Sequence, residues 1–155
     1  MAARVFVYLV HHAEALAADV DPQRPLSPAG RAHAEALASA AAARGVKPGV
    51  ICHSGKLRAR QTAEAFSRLC NPLAVVAAQC GLQPTDPPQG ITPLLAGEEL
   101  DLMVVGHMPN LPRILALLTR GSGDADVTFP QHGLVVLEKT EDGGWVERWR
   151  LEDVV

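Results

Sequence analysis

Three short apolar runs, each ending at a polar tip, set the frame for this chain. They are "VFVYLV" before His11-His12, "GVICHS" ending in His53-Ser54, and "LDLMVVGH" ending in Gly106-His107. Continuous apolar runs of this length read as strands covered on both faces, not as half-exposed ribbons. Between them lie helical stretches. "LSPAGRAHAEALASAAAARG" starts with Ser27 as N-cap and Pro28 at the first helical position, and stops at Gly45. "KLRARQTAEAFSRLC" and "NLPRILALLTRG" follow the second and third strands. Strands alternating with helices imply an α/β/α three-layer sandwich on a mainly parallel sheet. Such sheets bind ligands outside the carboxyl ends of their strands. All three tips are therefore expected at one edge, each bringing a histidine.

The rest of the chain reads less sharply. "NPLAVVAAQCGLQPTDPPQG" is a turn-rich excursion, with a short helix expected from about Gln89 to Glu99. "LVVLEKTEDGGWVERWRL" alternates and turns at Asp142-Gly143-Gly144, which predicts a hairpin. The 155 residues contain no repeats and no linker, so one domain over 1–155 is expected. The net charge of −3 gives no push toward nucleic acid or anionic membrane, so any anion site must be built locally. No run is long enough to span a membrane. The opening "MAARVFVYLV" lacks a signal-peptide cleavage site and reads as a strand. Cys52, Cys70 and Cys80 form neither a disulfide framework nor a metal-binding pair. A reduced, cytoplasmic protein is expected, with a monomer as the default.

Histidine can serve as general base, metal ligand or nucleophile. Arg58, near the start of the second helix, tilts the choice toward an anion. A guanidinium can hold phosphoryl oxygens while an imidazole nitrogen attacks phosphorus. A zinc site built from His11, His12, His53 and His107 has no supporting ligand spacing, and Arg58 opposes it.

These blocks together resemble the histidine phosphatase superfamily. "VHHAE" matches the strand tip that carries the nucleophile, placing it on His12. "SGKLRARQTAE" matches the second block at Ser54, Arg58, Ala59, Gln61, Thr62 and Ala63. "VVGHMPNL" puts His107 on the second catalytic histidine, and "RPLSPAG" matches a further segment from Arg24 to Gly30. The resemblance, closest to the small SixA-type phosphohistidine phosphatases, implies a phosphoglycerate mutase-like fold without a large cap. It implies His12, His107 and Arg58 as catalytic residues, with His11, Arg58, His107 and Ser54 binding phosphate. His132 and Glu14 are possible pocket residues; Arg24, Lys56 and Arg60 read as surface charges. Asp86, Glu98 and Glu99 join Glu14 as candidate acids, none with a compelling claim. No metal or organic cofactor is implied. The implied partner is a phosphohistidine-bearing protein, such as a histidine phosphotransfer domain.

One position departs from the pattern. His11 stands where the family has an arginine clamp, and Gly55 where it has proline. Weaker phosphate binding is expected, with activity improving at mildly acid pH if a bound phosphoryl group protonates His11. The alternatives are a catalytically weakened phosphoprotein-binding module and a small-molecule phosphomonoesterase.

Overall fold

The computed structural model describes residues 4–95 and 100–152. Six strands form one sheet: β1 (Phe6–His11), β2 (Val50–His53), β3 (Val75–Ala78), β4 (Leu102–Gly106), β5 (Leu134–Lys139) and β6 (Trp145–Leu151), in the order β3-β2-β4-β1-β5-β6. β1 runs parallel to β4, and β2 runs parallel to both β3 and β4. β5 is antiparallel to β1 and to β6. The expected hairpin is therefore present, and it extends the parallel sheet past β1. The helices are α1 (Pro28–Ala43), α2 (Leu57–Cys70), α3 (Thr92–Leu95) and α4 (Asn110–Arg120).

Strand alternation divides the core into two layers. Tyr8, Val10, Ile51, Met103 and Val105 meet Leu37 and Ala41 of α1 and Ala63 and Phe66 of α2. Val7, Leu9, Cys52 and Val104 meet Leu111, Ile114 and Leu115 of α4 on the other face. Burying both faces explains why β1 and β4 show no polar alternation. The fold is thus a mixed α/β sandwich without a large cap, as the sequence implied.

Two segments differ from expectation. β3 forms in the stretch read as an irregular excursion. It is a four-residue edge strand, and its outer residues Val75 and Ala78 are exposed, so no burial pattern marks it. In place of one helix from Gln89 to Glu99, a 3₁₀ turn at Pro88–Ile91 runs into α3, and residues 96–99 lie outside the described part. Pro87, Pro88 and Pro93 limit regular helix there.

α1 starts as its sequence dictates. Ser27 Oγ accepts the Gly30 N–H at 2.9 Å, and Pro28 fills the first turn. Gly30 is needed for a close approach, since a Cβ there would lie 2.0 Å from the Glu14 carbonyl oxygen. Gly30→Ala is expected to cost about 3 kcal/mol, because backbone must move to relieve the overlap. Urea unfolding measures it, and an unchanged midpoint contradicts this reading of the contact.

Candidate active site

The tip of β1 fixes both histidines by backbone bonds on opposite sides. The His11 N–H donates to the Gly133 carbonyl at 3.0 Å, and the His12 N–H donates to the Gly106 carbonyl at 3.1 Å. β1 thus sets His11 against the segment entering β5, and His12 against the end of β4. The rings follow. His12 lies 5.0 Å from His107 between centroids, while His11 stacks on His132 at 4.8 Å with an interplanar angle of 4°.

β2 does not deliver a histidine to this edge. His53 Nδ1 accepts the Gly55 N–H, and its ring lines a depression with Arg60 and Glu64 beside α2. Alternation puts the next residue, Ser54, at the site. Ser54 Oγ shares a 2.6 Å hydrogen bond with His107 Nε2 and accepts the Lys56 N–H. In the empty site Ser54 therefore holds His107 and the turn into α2.

α2 is tied to the loop after β1 and to the segment before α1 by residues that sequence reasoning left without a role. Thr62 Oγ1 accepts the Ala13 N–H at 3.0 Å and donates to the Arg58 carbonyl. Gln61 Oε1 accepts the Leu26 N–H at 2.8 Å. The first bond positions Ala13, the residue after His12, and the second positions Leu26, both relative to the helix carrying Arg58. Arg58 Nε is buried and has no hydrogen-bond partner among the described residues. A buried donor left unsatisfied is costly, and an incoming anion would satisfy it.

The hydrogen bonds also fix the ring tautomers. His12 Nδ1 lies 2.7 Å from the Ala13 carbonyl, which can only accept, so Nδ1 carries the proton and Nε2 keeps its lone pair. His11 Nδ1 accepts the His132 backbone N–H at 2.8 Å, so neutral His11 carries its proton on Nε2. His132 Nδ1 donates to the His12 carbonyl at 2.6 Å. Ring nitrogens of His11, His12 and His132 gather within 4.8 Å, a spacing open to a metal ion. This donor set fits a metal poorly, because His11 can release an Nε2 lone pair only by moving its proton to Nδ1 and losing the His132 bond.

Charge in the site is one-sided. Burial first, then neighbouring imidazoles and Arg58, hold His11 down at about 3. Burial depresses His12 to about 4, opposed by the Ala13 carbonyl and assisted by Arg58, His132 and Arg24. His107 falls to about 3 through burial, His12, Arg58, Lys56 and Arg24. Arg24, read from sequence as a surface charge, thus acts on the site, from a left-handed backbone conformation in which its Nε donates to the Leu16 carbonyl. Glu14 instead accepts the Ser27 hydroxyl at 2.8 Å, at the start of α1. Asp86 accepts the Gln83 N–H, and Glu98 and Glu99 lie outside the described residues. No described carboxylate is hydrogen-bonded to the four clustered imidazoles.

The neutral histidines predict acid lability. An unfolded chain with ordinary imidazoles binds more protons than the folded one once pH falls below about 6.5. Stability is then full above that pH and declines down to the folded values near 3 and 4. Each group contributes a slope of up to about 1.4 kcal/mol per pH unit. Denaturant midpoints at pH 7.5 and 5.0 measure this, and equal midpoints would contradict the buried neutral assignment.

Comparison with known proteins agrees with this architecture. The sequence model of the histidine phosphatase superfamily (branch 1) matches residues 7–80. No curated protein matches the sequence significantly. Among solved structures, a protein from Agrobacterium tumefaciens assigned as phosphohistidine phosphatase SixA is 29% identical, covering 96% of this chain and 98% of its own, with a TM-score of 0.79. A protein histidine phosphatase SixA in complex with tungstate is 23% identical, covers 96% and 97%, and has a TM-score of 0.83. A protein from Nakamurella multipartitia, also assigned as SixA, is 23% identical over 99% of both chains, with a TM-score of 0.78. By its sequence match over residues 7–80 and its fold over nearly the whole chain, this protein is similar to the histidine phosphatase superfamily and, in size and architecture, to the SixA proteins.

Proposed function

We propose that the protein removes phosphate from a phosphorylated histidine carried on another protein, through a phosphohistidine at His12. The carrying observation is His12 itself. It is neutral, its Nδ1–H is held by a carbonyl, and its Nε2 lone pair has no protein partner, close to the unpartnered Arg58 Nε. In the first step that lone pair attacks phosphorus. The P–N bond to the substrate imidazole breaks, and the departing imidazole takes a proton from solvent. Water then attacks phosphorus, the bond to His12 breaks, and phosphate leaves. Arg58, His107 and the His11 Nε2–H meet the charge on the transferring group.

The substrate class is supported by the lack of a carboxylate hydrogen-bonded to the site imidazoles among the described residues. An alkoxide leaving group needs a positioned proton donor. An imidazole is protonated readily, and no described carboxylate stands over these rings. That weighs against a small-molecule phosphomonoesterase. His11 is what favours a weakened, phosphoprotein-binding role, since it offers one neutral donor where the family has a charged fork. It also removes His11 as the source of an acid-side gain: with Nδ1 already accepting a backbone N–H, His11 has no ready site for a second proton.

Phosphoryl trapping tests the reading. A phosphohistidine domain labelled on phosphorus is mixed with the protein and quenched in alkali. Acid-labile label is expected on the wild type and absent from His12→Ala. His11→Arg is expected to turn over about tenfold faster, because a bidentate charged clamp returns. Folded proteins that neither take label nor release phosphate would leave the binding role.

A further inference from the structure

We propose that His132 is a second phosphoryl-oxygen ligand which, paired with His11, replaces the absent guanidinium, and that it takes up a proton when the anion binds. The inference rests on the phosphoryl site proposed above. It adds a residue beyond the family signature, at the segment leading into β5.

The pair is built by one residue in an unusual conformation. His132 has φ +54, a left-handed backbone uncommon outside glycine, in which Asn, Asp and His are the enriched side chains. This places its N–H on His11 Nδ1 and its own Nδ1–H on the His12 carbonyl. The Nδ1 atoms of His11, His12 and His132 are all committed to backbone groups, and none of their Nε2 atoms has a hydrogen-bond partner among the described residues. The stacked His11 and His132 rings stand side by side, as the two prongs of a guanidinium do. One ring nitrogen from each of the three histidines lies within 4.8 Å of the others, so the three rings crowd one place.

The two prongs differ in one proton. His11 already carries hydrogen on Nε2 and donates while neutral. Neutral His132 presents an Nε2 lone pair, because its only proton is held by the His12 carbonyl. A lone pair repels a phosphoryl oxygen, so His132 becomes a ligand only by gaining a second proton. The cationic form then carries the charge that the family's arginine would have supplied. The groups around it are His11 and His12 on β1 and His33 on α1, its ring edge-on at 6.4 Å; Arg58 on α2, Arg24 in the loop before α1 and His107 at the end of β4 stand near the His12 ring.

Tungstate is the probe, since it stays a dianion across the pH range needed. Calorimetric titration at pH 7.0 in two buffers of different ionisation heat counts the protons taken up. About one proton per tungstate is expected for the wild type, with affinity falling up to tenfold per pH unit above the imidazole range. The decisive variant is His132→Asn. Asn accepts the left-handed backbone, and its side-chain amide can take the place of Nδ1–H on the His12 carbonyl, so only Nε2 is lost. Roughly tenfold or greater loss of affinity, with proton uptake abolished, is expected. His11→Asn is expected to weaken binding but keep the proton uptake. Wild-type binding without proton uptake, or His132→Asn matching the wild type in affinity or in proton count, overturns the proposal. If the wild type fails to bind and His11→Arg binds, the clamp is refuted while the phosphatase reading stands. If neither binds, both fall.

Discussion

His12→Ala is expected to lower phosphoryl transfer from a phosphohistidine protein by about four orders of magnitude or more, because the group that forms the covalent intermediate is gone. The reasoning starts with the tautomer. The Ala13 carbonyl holds the proton on Nδ1, so Nε2 needs no deprotonation before attack. Burial keeps the ring near 4, so the nucleophile is fully available at neutral pH. Two of the neighbouring imidazoles cannot substitute, and His132, on the reading above, is protonated once the anion binds. His11 Nε2 carries the proton, and His107 Nε2 is bonded to Ser54. Single-turnover release of phosphate measures the loss. A His12→Ala protein retaining more than a tenth of the wild-type rate would show that the phosphoryl group passes to another residue or directly to water. Tungstate affinity should fall far less than the rate, since Arg58, His11 and His107 stay in place.

Arg58 carries the second large effect. Arg58→Gln is expected to reduce the rate by about a thousandfold and tungstate affinity by about a hundredfold. It is a permanent cation whose Nε is buried without a hydrogen-bond partner among the described residues, and the arginine at the usual clamp position is absent. The loss should therefore exceed that in a relative with two arginines. Arg58→Lys should recover little, because an ammonium lacks the planar fork. The same change should raise the imidazole values, since Arg58 depresses His11, His12 and His107. NMR titration of the ring protons reads that shift, and unchanged titration curves would contradict the geometry. A rate within tenfold of wild type would move the anion site elsewhere.

Much of this was legible in the sequence, for identifiable reasons. β1, β2 and β4 are short apolar runs ending at polar tips, and α1 announces itself through Ser27, Pro28 and Gly45. Local chemistry sets those features, so they survive without knowledge of partners. β3 did not show because an exposed edge strand has no burial to impose a pattern. The direction of His53 depended on one step of strand alternation, which decides between His53 and Ser54 but is lost when the strand end is uncertain by a residue. Among the site residues, His12, Arg58 and His107 were suggested by blocks that also place them in space. His132 stands in no such block. Its position depends on β5 lying antiparallel beside β1, a pairing of residues over a hundred apart. Arg24 was misread because a charged residue near prolines looks solvated until the loop folds back. Glu14 looked like a candidate acid because it is next to the nucleophile loop, but its partner Ser27 is thirteen residues away.

The strand order has a consequence for how the chain comes into being. β1 is made first, yet its two neighbours are β4 and β5: Leu9 pairs with Val104 on one side and Val135 on the other. During synthesis the segment "VFVYLV" has emerged long before either partner exists. α1, β2, α2 and β3 can assemble in the meantime, but the central strand must wait. An apolar strand with both edges open is a target for chaperones and for wrong partners. The strand that bears His12 thus finds both its neighbours only after β5 has been made, and a ribosome stalled within β5 would hold a nascent protein with much of its helical layer built and its chemistry still unassembled.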